Sequence, residues 1–103
     1  LSDYDSPIFS VLLKGSSSTL LHRLDDMPFQ AFWNGFELRE IAVECGEAHH
    51  IRIKSGGYHF VGLQPGSYTL GFFSCPRDGN TTLLSEHSVS LADNEDLRID
   101  LQP

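Results

Sequence analysis

Histidine, serine and the carboxylates are the residue types in this 103-residue chain that could hold a metal or move a proton, and their spacing decides what they can do. The five histidines are His22, His49, His50, His59 and His87. Of these, His49-His50 and His59 lie nearest one another. A two-residue reversal at Gly56-Gly57 pairs Ile53 with Phe60 and sets His50 opposite Leu63. His50 and His59 are then four residues apart along a strand, roughly 13 Å at the strand rise. Zinc needs ligand bonds of ~2 Å, so these imidazoles do not share an ion, and His22 and His87 stand alone. The expectation is surface or hydrogen-bonded histidines, with no metal and no cofactor.

Catalytic patterns are equally sparse. The chain has no Gly-x-Ser-x-Gly elbow, no phosphate-cradling glycine loop and no His-Glu-x-x-His. Serine, histidine and aspartate are abundant, but a triad is recognised by geometry rather than by content. The carboxylate pairs Asp25-Asp26 and Glu95-Asp96 read as solvated turns. The chain is therefore expected not to be an enzyme.

Aromatic residues offer a different chemistry. Trp33, Phe32, Tyr58 and Phe72-Phe73 could stack on a sugar or a peptide, although a domain of this size needs bulky side chains for its core. Phe32 is the expected exception. If Asn34-Gly35 turns a hairpin, Trp33 pairs with Phe36 on one face, while Phe32 shares the other with Glu37 and Arg39. Phe32, Trp33, Glu37 and Arg39 thus form the candidate ligand-binding group.

The elements that would position these groups come from periodicity and turn chemistry. Ile8–Leu13, Thr19–Leu24 and Met27–Trp33 read as strands, as do Ile51–Lys54, Tyr58–Leu63, Tyr68–Ser74, Thr81–Leu91 and 97–101. They are punctuated by Asn34-Gly35, Gly56-Gly57, Pro65-Gly66 and a turn at 75–80. The segment 37–45 is ambiguous. Leu38, Ile41, Ala42 and Cys45 fit helical spacing, whereas the preceding hairpin signal and Ile41-Ala42-Val43 favour a strand. Strand is the preferred reading, and a short helix is the alternative.

Acidic residues outnumber Lys and Arg 14 to 7, for a formal charge of −7, which disfavours nucleic acid and anionic membrane as partners. No apolar run reaches transmembrane length, and residues 1–20 lack a signal-peptide pattern, as expected of a mature chain or an excised domain. Cys45 and Cys75, the two cysteines, could form one disulfide or stay as separate buried thiols. Asn80-Thr81-Thr82 matches the N-glycosylation acceptor pattern after a Pro-Arg-Asp-Gly turn. Together these features suggest a secreted, cell-surface or ER-lumenal setting.

The run Gly57-Tyr58-His59-Phe60-Val61-Gly62-Leu63-Gln64-Pro65-Gly66-Ser67-Tyr68-Thr69-Leu70 resembles the Gly-x-Phe-x-Phe-x-x-Leu-x-Pro-Gly-x-Tyr-x-Leu signature of prealbumin-like β-sandwich modules. These include carboxypeptidase regulatory-like domains and Cna B-type repeats. The resemblance implies an all-β fold, an antiparallel sandwich of about seven strands of prealbumin-like or Ig-like type, spanning residues 1–103 as one domain. It also raises a Lys–Asp isopeptide bond between Lys14 and Asp100. The position of that family's assisting glutamate is occupied here by Gly71-Phe72-Phe73, so no such bond is expected. The function expected is that of a non-catalytic module of a larger secreted, surface or lumenal protein, acting as a spacer or as a protein-interaction domain. It would contact a protein partner or neighbouring domains of the same chain. The alternative is a carbohydrate-binding module using exposed aromatics.

Overall fold

A computed structural model describes residues 8–15, 18–34, 36–44, 51–55, 59–76, 79–93, 96–97 and 99, with backbone alone at 18, 33, 36, 37 and 51–55. Strand β1 (Ile8–Lys14) is followed by helices α1 (Ser18–Leu24), α2 (Phe29–Asn34) and α3 (Phe36–Glu44). Strands β2 (Ile51–Ser55), β3 (Gly66–Ser74) and β4 (Thr82–Leu91) complete the order. The strands make one antiparallel sheet ordered β2-β1-β3-β4.

The alternation of β1 and β3 sends side chains to both faces of this sheet. Phe9, Val11, Leu13 and Phe73 face the helices and bury Leu20, Leu21, Leu24, Phe32, Leu38 and Ala42 against them. Leu12, Tyr68, Leu70 and Phe72 face the other way. There Phe60 and Leu63 of the irregular segment 59–65, together with Ile99, pack against them. The Tyr68 hydroxyl donates to the Gln64 carbonyl at 2.6 Å and ties that segment to the sheet. At position 71 a side chain would press on the Leu21 methyl groups. A β-carbon on Gly71 would lie 2.9 Å from Leu21 Cδ2 and 3.2 Å from Phe73 Cε1, so α1 sits directly on β3 there.

This architecture corrects the seven-strand sandwich. Among the described residues one four-stranded sheet, not two packed sheets, carries three helices on one face. Thr19–Leu24 is helical because Leu20, Leu21 and Leu24 fall on one side of a 3.6-residue repeat and are fully buried, while Thr19, His22 and Arg23 are exposed. Residues 29–34 are also helical, with Phe32 inward and Gln30 and Asn34 outward. Asn34-Gly35 therefore makes no hairpin. Asn34 ends α2 and Phe36 begins α3, so the flanking segments are helices rather than the arms of a hairpin. The preferred strand at 37–45 gives way to its helical alternative as far as Glu44. Leu38 and Ala42 are buried there, and Arg39, Glu40, Val43 and Glu44 are exposed.

The strand pairings expected from the other reversals are replaced by a different topology. Residues 51–55 form a strand, and it pairs with β1 (Val11 opposite Ile53, Ser10 opposite Lys54), while the described residues 59–63 form no strand. Residues 59–65 are irregular, so Gly62, Leu63 and Pro65 of the family-like signature are not in a strand, and Gly66 already belongs to β3. Leu97 and Ile99 are likewise irregular, in place of the expected final strand. Gly35, Gly56, Gly57, Tyr58, Arg98, Asp100 and Leu101 lie outside the described residues.

Candidate functional site

Of the expected aromatic platform, Phe32, Phe72 and Phe73 are buried, and the Trp33 side chain and Tyr58 lie outside the described residues. Phe32 is 0% exposed, with its ring 5.9 Å from that of Phe9 and 5.1 Å from that of Phe73. Helical periodicity turns it into the core, which corrects its placement on a polar hairpin face. Arg39 is exposed on α3, so the structure does not bring the two together on a surface. The side chains of Trp33 and Glu37 lie outside the described residues. Phe72 and Phe73 are buried on opposite faces of the sheet.

Cys75 is a free, fully buried thiol whose pKa burial pushes up to about 12, and Cys45 lies outside the described residues. Asn80 is exposed and makes an isolated bridge to Pro28. The neighbouring Thr81 is buried, and its hydroxyl donates at 2.8 Å to the Leu24 carbonyl at the end of α1, which also accepts the Met27 N–H at 3.1 Å.

The histidines disperse. His22 Nε2 lies 2.8 Å from Glu86 Oε1, His59 is exposed, and the His87 ring meets Phe72 edge-on at 5.8 Å. His49 and His50 lie outside the described residues. Among the described residues no three His, Cys, Asp or Glu side chains are grouped to hold a metal. Ser85 Oγ and His87 Nε2 share a face of β4 and are buried, yet neither has a hydrogen-bond partner. The serine–histidine hydrogen bond on which nucleophile activation depends is thus not made by this pair.

What the fold does present is the outer side of β4. The Gly15 N–H donates to the Ser67 carbonyl at 2.7 Å, so the backbone groups of Ser67 point at β1. By the alternation of antiparallel pairing, Thr69, Gly71 and Phe73 do the same. Their partners across β3–β4 are Ser90 (opposite Ser67), Ser88 (Thr69), Glu86 (Gly71) and Leu83 (Phe73). Those four residues must then direct their backbone N–H and C=O away from the sheet. Among the described residues β4 pairs on one side only.

The two halves of this edge differ. The first half is closed. Leu83 N–H donates to Asp25 Oδ1 at 2.8 Å, and the register shift opposite Phe72/Phe73 inserts Leu84 as an extra residue. Immediately before β4, Thr81 N–H bonds Met27 O and Asp26 N–H bonds Thr81 O, both at 2.8 Å. Bulges and covering connections are the devices by which proteins blunt sheet edges. The second half carries exposed Ser88 and Ser90, half-buried Val89 and Leu91, and no Pro, Lys or Arg. Sequence reasoning identified β4 as a strand but had no signal for its position at the edge, which depends on strand order. No family model, curated protein or solved structure matches this chain.

Proposed function

We propose that this chain is a non-catalytic protein-interaction module that takes up an extended segment of a partner protein along the second half of β4. The observation that carries this reading is the pair of outward-facing backbone positions at Ser88 and Ser90, on an edge whose first half is deliberately closed. Main-chain pairing with such an edge supplies affinity, and alternate side chains supply specificity. A second copy of this chain is a poor occupant. Each copy carries a formal charge of −7, and β4 contains no Lys or Arg to offset it. A sugar site is not favoured, because Phe32, Phe72 and Phe73 are interior. The exposed Asn80 of the acceptor triplet supports a secreted, surface or lumenal setting for the parent protein.

Selection of random decapeptides on the immobilised chain, followed by amide hydrogen exchange, tests the reading. Bound peptides should slow exchange at Ser88 and Ser90. The Ser88→Pro and Ser90→Pro variants, with circular dichroism unchanged, should lose binding, since proline is tolerated at an edge but removes the donor. Peptides that bind both variants as well as the parent, or that protect other amides, would overturn it.

A further inference from the structure

We propose that Asn80 is an N-glycosylation site, carrying an oligosaccharide joined through its side-chain amide nitrogen. The chain has three asparagines, Asn34, Asn80 and Asn94. The residues two places after them are Phe36, Thr82 and Asp96, so Asn80 alone meets the Asn-x-Ser/Thr requirement for transfer. The site goes beyond the docking reading and does not depend on it. Its attachment point lies eight residues before Ser88, roughly 25 Å at the strand rise, and so is clear of the second half of β4.

The fold presents this triplet as a glycan requires. Asn80 and Thr82 are exposed, and Thr81 between them is fully buried. Successive side chains of an extended chain point to opposite sides, so anchoring Thr81 inward turns both neighbours outward together. The anchor has three parts. The Thr81 hydroxyl donates to the Leu24 carbonyl, its N–H donates to the Met27 carbonyl, and its own carbonyl accepts the Asp26 N–H, each at 2.8 Å. The pairing of Asn80 with Pro28 is a backbone bridge, which leaves the side-chain amide out of it. Just upstream, the Gly79 N–H donates to the Pro76 carbonyl at 3.3 Å, so the chain reaches Asn80 from a turn. A bulky, solvated group on Asn80 therefore displaces no packed side chain.

In the transfer, the amide nitrogen of Asn80 attacks the anomeric carbon of an oligosaccharide carried on a polyprenyl pyrophosphate. The new C–N bond replaces the C–O bond to the pyrophosphate, which leaves with the bonding electron pair, and one amide proton passes to a base. No oxidant or reductant is consumed.

The test translates the whole chain behind a cleavable signal peptide, in the presence of microsomes that hold the transferase, and scores the protease-protected product. One glycan should appear, released by peptide:N-glycosidase with Asn80 converted to aspartate in the mass spectrum. Asn80→Gln and Thr82→Ala should lose it, and Thr82→Ser should keep it. The variant Asp96→Thr gives Asn94 an acceptor pattern and reports that the transferase has reached the chain. Glycan on Asn94 of that variant with Asn80 bare would overturn the assignment, as would protected parent chain without sugar. Enzymatic release of the glycan from the native chain should leave circular dichroism unchanged, and a changed spectrum would overturn the exposed placement of the sugar.

Discussion

The carboxylate of Asp25, one residue beyond α1, accepts the backbone N–H of Leu83 at 2.8 Å and so closes the outer edge of β4 where that strand begins. The contact joins residues 58 apart in sequence. Replacing Asp25 with Ala should cost on the order of 1 kcal/mol, the scale of a solvent-accessible charge-assisted bond. It should also accelerate hydrogen exchange at the Leu83 amide while leaving Thr81 protected. Unchanged exchange at Leu83 would show that the carboxylate does not guard the edge.

Gly71 is small because Leu21 lies on it. Gly71→Ala brings the new methyl within 2.9 Å of Leu21 Cδ2 and 3.2 Å of Phe73 Cε1. Overpacking of this kind costs about 1–3 kcal/mol. Chemical denaturation should show that loss in the parent and much less of it in a Leu21→Ala background. Additive effects of the two substitutions would contradict the contact between α1 and β3.

Phe32 and Arg39, paired in the sequence as ligand-binding residues, should separate cleanly on mutation. Phe32→Ala removes a fully buried ring from between Phe9 and Phe73 and should destabilise by about 3–5 kcal/mol. Arg39→Ala on the exposed side of α3 should stay within about 0.5 kcal/mol. Comparable small effects at both positions in urea titrations would put Phe32 back on the surface.

Cys75 should resist alkylation in the folded chain. Burial raises its thiol pKa from 9.0 to about 12, so the thiolate that reacts is scarce at neutral pH. The folded state holds this proton more tightly than the unfolded one. The resulting stabilisation is complete below pH 9 and is lost as pH rises from there to about 12. Iodoacetamide labelling at pH 8 should be slow until denaturant is added, and Cys75→Ala should flatten the alkaline limb of the stability profile. Rapid labelling of the native chain would show an accessible thiol.

Four strands were legible in the sequence, Ile51–Lys54 (β2) among them, because apolar and β-branched stretches bounded by turn residues need no partner to be recognised. In β3, Tyr68, Leu70 and Phe72 fall on one face, and Thr69, Gly71 and Phe73 fall on the other. Ile8–Leu13 and Thr81–Leu91 show the same alternation, and both form as β1 and β4. Of the helices only α3 was legible, as the alternative at 37–45; α1 and α2 were not. Segments of seven, six and nine residues are too short for propensity to hold them alone, and their turn-like boundaries mimic hairpins. Leu20, Leu21 and Leu24 become helical because β1 and β3 offer a surface to bury them.

The chain's own residue order determined its acidic charge, its strand-forming stretches and the amphipathic spacing at Leu38, Ile41 and Ala42, all of which are properties of neighbours along the backbone. Only the tertiary structure decided that β2 pairs with β1 across three intervening helices, that Phe32 turns inward, and that among the described residues β4, with Ser88 and Ser90, pairs on one side only. Those outcomes depend on which distant surfaces bury one another. Local turn preferences, worth a kcal/mol or so, yield to burial of a whole apolar face.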